Sequence, residues 1–209
     1  MTDTVNSISE VVALLADRRS AKRRSAAKRL RKLKNSTAGP ALLDALRHEV
    51  QDPRTWETQY QIIMALGESG YRPALPYLSA LTRQPFEATM VYVALGDAIV
   101  RLGRTEENDA SPVLSALASA NDMLIDGAFR AVAMLRLCPN DQAIARIIGY
   151  VARRPPEDGL RFWVAVAAAG WNHPDAQAFL HHCIASSRED VKRAAQASLE
   201  KTYPTWHPL

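Results

Sequence analysis

The sequence predicts an all-α fold: an α-solenoid of about five stacked antiparallel helix pairs, with capping helices. Three observations predict it. Apolar residues recur at helical spacing, as in Trp56, Tyr60, Ile63 and Leu66. The unit itself recurs: Leu30, Leu66 and Leu102 lie 36 residues apart and Leu135 follows after 33. Four positions before each stands Ala26, Ile62, Ala98 or Ala131. After each comes a second stripe: Leu42/Leu46, Leu75/Leu78, Val113/Leu117 and Ile144/Ile148. A period of this length marks a stacked repeat. Lastly, only 9 glycines in 209 residues and few apolar–polar alternations argue against a β fold.

The elements follow in order within one repeat domain, residues 1–209. Ser7–Asp17 reads as a helix with Ile8, Val11, Val12 and Leu15 on one face, suited to covering the open end of the stack. The repeats run over 20–201 and a tail over 202–209. In the first repeat Leu33 could replace Leu30 as the core residue. Asp52-Pro53 opens the second as a cap with Pro at the first helical position. Gly67 and Gly70 are expected to supply the left-handed geometry that ends its first helix. Pro73 then starts the next helix. Pro85–Arg101 is the first helix of the third repeat, where Asp97 pairs with Arg101 at i+4, with a buried functional carboxylate as the alternative. Asp126 and Arg130 repeat that pairing. Ser186-Ser187-Arg188-Glu189 is read as a capping box opening the last helix. The tail, with Pro204, Trp206 and Pro208, is expected to dock back as a cap. The core is predicted to include Leu30, Ile63, Leu66, Leu78, Leu95, Leu102, Leu135, Ile148 and Phe162.

Charge is distributed unevenly. The chain holds 26 basic residues, 10 of them between Arg18 and Lys34 with no acid among them; the rest carries 16 against 22 acidic ones. Arg24, Lys28, Arg31 and Lys32 share one side of that helix, opposite Ala26, Leu30 and Leu33. No acid lies within i±4 of any of the four. All four are therefore expected to face water, a lipid surface or an acidic partner, and changing all four to Glu is expected to leave the fold intact.

The stretches Ala65-Leu66-Gly67 running into Ala74-Leu75-Pro76-Tyr77-Leu78, and Val191-Lys192-Arg193-Ala194-Ala195 running into Leu199, resemble HEAT repeats, including the bacterial short-repeat variety. The resemblance covers roughly residues 20–201. It implies that the second helix of each pair lines a concave side, which puts Arg47, His48, Tyr77, Arg83, Arg146 and Tyr150 forward as partner contacts. Small HEAT proteins of this kind look like adaptors, chaperones or immunity-type inhibitors.

Chemistry is sparse. There is no phosphate-cradling glycine loop and no nucleophile elbow. His181-His182-Cys183 diverges around a helix by about 100° per residue and cannot converge on one metal ion. Cys138 and Cys183 are expected to be buried free thiols, without disulfide or zinc spacing. His48-Glu49 resembles the His-Glu pairs of iron-dependent HEAT-repeat hydroxylases, which need several pairs where this chain has one. Trp163, Asp158 and Arg161 resemble in type the site residues of HEAT-like DNA glycosylases, and the HEAT-like bilin lyases share only the repeat. The resulting expectation is a protein that binds another protein and is not an enzyme, with no catalytic residues, metal or cofactor. Nucleic-acid binding through the basic helix is the alternative. Met1–Asn6 has no positive charge ahead of its apolar residues, and Phe162–Gly170 is too short to span a bilayer. A cytoplasmic protein without membrane contact is expected.

Overall fold

The structure is a computed structural model describing residues 2–204, with side chains from Ile8 onward. Among the described residues twelve α-helices follow one another: α1 (Thr2–Ala13), α2 (Ser20–Leu33), α3 (Gly39–Glu49), α4 (Trp56–Glu68), α5 (Leu75–Leu81), α6 (Met90–Gly103), α7 (Ser111–Leu117), α8 (Asp122–Leu135), α9 (Asp141–Ala152), α10 (Arg161–Ala167), α11 (Pro174–Ile184) and α12 (Glu189–Leu199). There is no strand among the described residues. The fold is an α-solenoid of stacked helix pairs.

The chain divides into two compact units, Met1–Gly103 and Arg104–Leu209. In the first, α4 packs between α2 and α6, while α3 lies against α4 and α5 against α6. Helix α1 and the short turn Leu14–Ala16 lie on α2, burying Val11 and Leu15. In the second unit, α10 packs between α8 and α12, while α7 lies against α8 and α9, and α11 against α9 and α12. Each unit thus repeats one arrangement, a layer of first helices backed by second helices.

The period explains the packing. Ala26, Ile62, Ala98 and Ala131 are all fully buried, and these mostly small side chains let neighbouring first helices approach closely. Leu30, Ile63, Leu66, Leu78, Leu95, Leu102 and Ile148 are buried as predicted. Leu33 is 45% exposed, so Leu30 sets the first repeat's register.

Several expectations are corrected. Leu135 is half-buried because α8 ends beside it: Arg136 turns left-handed (φ 53°), and Leu137 fills the core instead. Phe162 is half-buried while Trp163 and Val164 take the interior. Trp56, the first residue of α4, is exposed rather than part of the apolar face. Gly67 lies inside α4; of these two glycines Gly70 has the positive φ, 71°. At Gly67 the demand is space, since a Cβ there would sit 2.8 Å from Ala98 Cα on α6. Pro53 and Pro73 each enter a 3-10 turn ahead of the α-helix rather than the α-helix itself. Helix α6 begins at Met90, not Pro85, because the Tyr92 hydroxyl holds the preceding segment in a loop, donating to the Gln84 carbonyl (2.6 Å) and accepting from the Phe86 N–H (3.1 Å). The capping box before α12 does not form. Ser186 is buried and donates to the Pro156 carbonyl (2.8 Å), and Arg188 is the N-cap, with no side-chain cap bond. Cys183 is buried, but Cys138 is exposed just after α8. Tyr203 and Pro204 are described; Trp206 and Pro208 lie outside the described residues. Among the described residues, no helix is long and apolar enough to cross a membrane.

Candidate interaction surface

The basic helix α2 has fewer free charges than its sequence offers. Arg31 is buried, and its Nε donates to Glu68 Oε1 on α4 (2.7 Å), with Gln61 Oε1 accepting from Nη1 at 3.3 Å. Arg24 pairs with Glu57, at the other end of α4. The expectation that all four stripe residues face solvent fails at Arg31, and the quadruple change to Glu would set a carboxylate against Glu68 in the core. Lys28 and Lys32 are exposed as expected, joined by Arg29 and Lys34. Among the described residues no carboxylate pairs with these four.

Polar ties of this kind recur between neighbouring repeats. Ser20 and Thr58 share a hydroxyl bond (2.9 Å), and the Trp171 indole N–H donates to the Leu137 carbonyl (2.8 Å). The Ser198 hydroxyl donates to the Ala165 carbonyl (2.6 Å). Arg154 binds Asp122 through two nitrogens, at 2.5 and 2.7 Å, which holds the Asp122 carboxyl below its usual range. Within α6, Arg101 Nε donates to the buried Asp97 at 2.5 Å, the i+4 pair expected. Asp126 behaves differently. Burial pushes its carboxyl up to about 6, against the opposing pull of Arg130 and Arg188.

The six side chains proposed from the second helices fall in both units. In the first, Arg47 on α3 places its guanidinium over the Tyr77 ring on α5, 5.6 Å from the centroid. Burial pushes the Tyr77 phenol up, while Arg47 pulls it down. His48 extends into solvent beside Asp44, 3.8 Å away, with its side chain 82% exposed. Arg83 is exposed just beyond α5. In the second unit, Arg146 is exposed on α9. Tyr150 is half-buried: its hydroxyl accepts from Arg154 (2.7 Å) and its ring meets Phe129 edge-on.

The residues that invited catalytic readings serve the fold. Arg161 is buried and donates to the carbonyls of Pro155 (2.9 Å) and Arg154 (2.7 Å), pinning the loop before α10. Asp158 accepts from the Leu160 N–H (2.9 Å) and from Arg154 (3.3 Å). Trp163 is buried under Arg130, whose guanidinium lies 5.9 Å from its ring centroid. His181 and His182 are exposed while Cys183 is buried, as helical divergence requires. His48 and Glu49 likewise diverge, one into solvent and one into the core. Among the described residues, no group of three or more His, Cys, Asp or Glu is placed to hold a metal ion.

A family model described as the PBS lyase HEAT-like repeat matches residues 22–48, most of α2 and α3. Those residues form a HEAT-like repeat. No curated protein matches the chain. Among solved structures, the chain aligns with human deoxyhypusine hydroxylase in complex with glycerol, over 93% of this chain and 83% of that one, at a TM-score of 0.40 and 16% identity. That neighbour is an enzyme, and the expectation that this chain is not one is not retained.

Proposed function

We propose that the protein is a helical-repeat scaffold that binds another protein through the face formed by α3 and α5. The Arg47–Tyr77 stack carries this reading. It joins two successive second helices, and Arg47 is exposed while Tyr77 is half-exposed. Arg and Tyr dominate binding energy at protein interfaces. A guanidinium already resting on a ring loses less freedom when a partner arrives. His48 and Arg83 extend the same set of side chains, and Arg146 and Tyr150 are the corresponding candidates of the second unit. An adaptor, chaperone or immunity-type inhibitor fits this role. The test is capture of partners from the native host after nuclease treatment, with wild-type protein against a variant carrying Arg47→Ala, Tyr77→Ala and Arg83→Ala. Recovery should fall at least tenfold. Equal recovery by the folded variant rejects this face.

A second reading rests on its own observation, the four exposed cations Lys28, Arg29, Lys32 and Lys34 on and just beyond α2. Backbone-directed nucleic-acid binding there would weaken steeply with salt. A mixed protein interface would weaken much less. If Lys28→Glu with Lys32→Glu leaves all nucleic-acid retention unchanged, this alternative is removed.

A further inference from the structure

A cavity of about 520 Å³ opens at the N-terminal end of the first unit, between the end of α1, the start of α2, α3 and the turn after it. One wall is apolar, made by Val12, Leu15, Ala41 and Ala45. The other is charged, and Glu49 belongs to it. Glu49 is only 4% exposed. Its Oε1 is held by Arg23, but its Oε2 is buried and accepts no hydrogen bond. The arginine's Nη1 is turned away from the carboxylate, donating to the carbonyls of Asp17 (2.8 Å) and Arg18 (3.1 Å). Arg23, Asp17 and Arg18 line the cavity together with Glu49. Two other carboxylates of the lining are already engaged: Asp17 by Arg19 and Lys22, and Asp52 by Arg54. Asp44, also in the lining, is exposed and lies 3.8 Å from His48.

We infer that this cavity binds an alkyl cation: an ammonium or guanidinium head on an aliphatic stem. A buried carboxylate oxygen without a donor costs free energy that a bound donor recovers. A guanidinium or ammonium supplies several donors and the opposite charge. The alanine and leucine wall covers the methylene stem, as apolar surfaces do along lysine and arginine side chains. The volume lies within the range of small-ligand pockets, roughly 300–1,000 Å³. Two sources share this chemistry, a free diamine or guanidino compound and a basic side chain of a partner. The site does not depend on the α3–α5 reading, because its occupant can be tested as a small molecule.

The test is titration of the full-length protein with agmatine and cadaverine, followed by amide NMR shifts and calorimetry. N-acetyl-arginine methylamide and N-acetyl-lysine methylamide form the second arm, and N-butylurea is the neutral control. The cations should shift amides around Glu49, Asp44 and Ala45 and bind at least tenfold more tightly than the urea. Binding of the free compounds alone assigns a small metabolite; binding of the capped residues assigns a partner's side chain. Glu49→Gln should lower cation affinity at least tenfold, whereas Glu106→Gln, in the second unit, should not change it. If Glu49→Gln does not fold, Ala45→Leu, which fills the cavity and leaves the carboxylate in place, decides by abolishing binding. Equal affinity for urea and cations overturns the proposal, as does wild-type affinity in a folded Glu49→Gln or Ala45→Leu protein.

Discussion

Arg24 and Arg31 stand on the same helix, seven residues apart, and meet different surroundings. Arg31 is enclosed between α2 and α4 and depends on Glu68 for neutralisation. Removing that acid leaves a buried cation supported, among the described residues, by Gln61, so Glu68→Ala should cost about 3–5 kcal/mol in denaturant unfolding. Arg24 and Glu57 both reach water, and Arg24→Ala should cost under about 1 kcal/mol. Equal losses would mean that the two pairs share one environment. Neither acid could be found by searching i±4 along α2, because Arg31 and Glu68 are 37 positions apart. Asp126 gives the pH-dependent case. Its folded-state pKa of about 6 lies above the ordinary 3.8, chiefly through burial, so its favourable contribution is complete below about pH 4 and lost as pH rises through 6. Asp126→Asn should therefore raise stability at pH 7.5 by about 2 kcal/mol, a gain that disappears near pH 4. A gain that does not vary with pH would contradict this assignment. The raised value was not legible as charge spacing, since the i+4 arginine suggests a lowered one.

At the scale of elements, α4 shows what periodicity conveys and what it leaves out. Its position, its apolar face and its place in the repeat were all legible from Tyr60, Ile63 and Leu66. Gly67 was legible only as a glycine near a helix end, and that suggested a turn. The structure gives it a packing role, because its missing side chain admits Ala98 of α6. Gly67→Ala should therefore destabilise by about 1–3 kcal/mol through overpacking, although alanine is the better helix former. A thermal melt showing stabilisation would return Gly67 to a purely conformational role. Helix starts were less legible than helix cores. Ser186 and Glu189 have capping-box spacing, yet the hydroxyl is used by Pro156, 30 residues earlier in the chain. Local grammar cannot reveal a bond whose acceptor belongs to the preceding repeat. The surface residues Arg47, His48 and Arg83 were legible as exposed, but the stack on Tyr77 needed the geometry of α3 against α5.

For the whole molecule, the 36-residue spacing of Leu30, Leu66 and Leu102 reappears in the bonds. Seven of the long-range side-chain ties described above span 30 to 38 residues: Arg31–Gln61, Ser186–Pro156, Arg154–Asp122, Ser198–Ala165, Trp171–Leu137, Arg31–Glu68 and Ser20–Thr58. The charge imbalance between α2 and the rest of the chain was legible in the same way, but its partial neutralisation was not, because counting residues does not place them. This regularity has a consequence for synthesis. A ribosome emits the chain from one end, and a fold whose fastenings each reach only one repeat back never has to wait for its terminus. Helix α2 can be fastened as soon as α4 is out, and α8 as soon as α10 and its preceding loop are out. Pulling force on a translation-arrest sequence should therefore peak several times, about one repeat apart, as the nascent chain lengthens. A single peak near full length would mean that the repeats wait for one another.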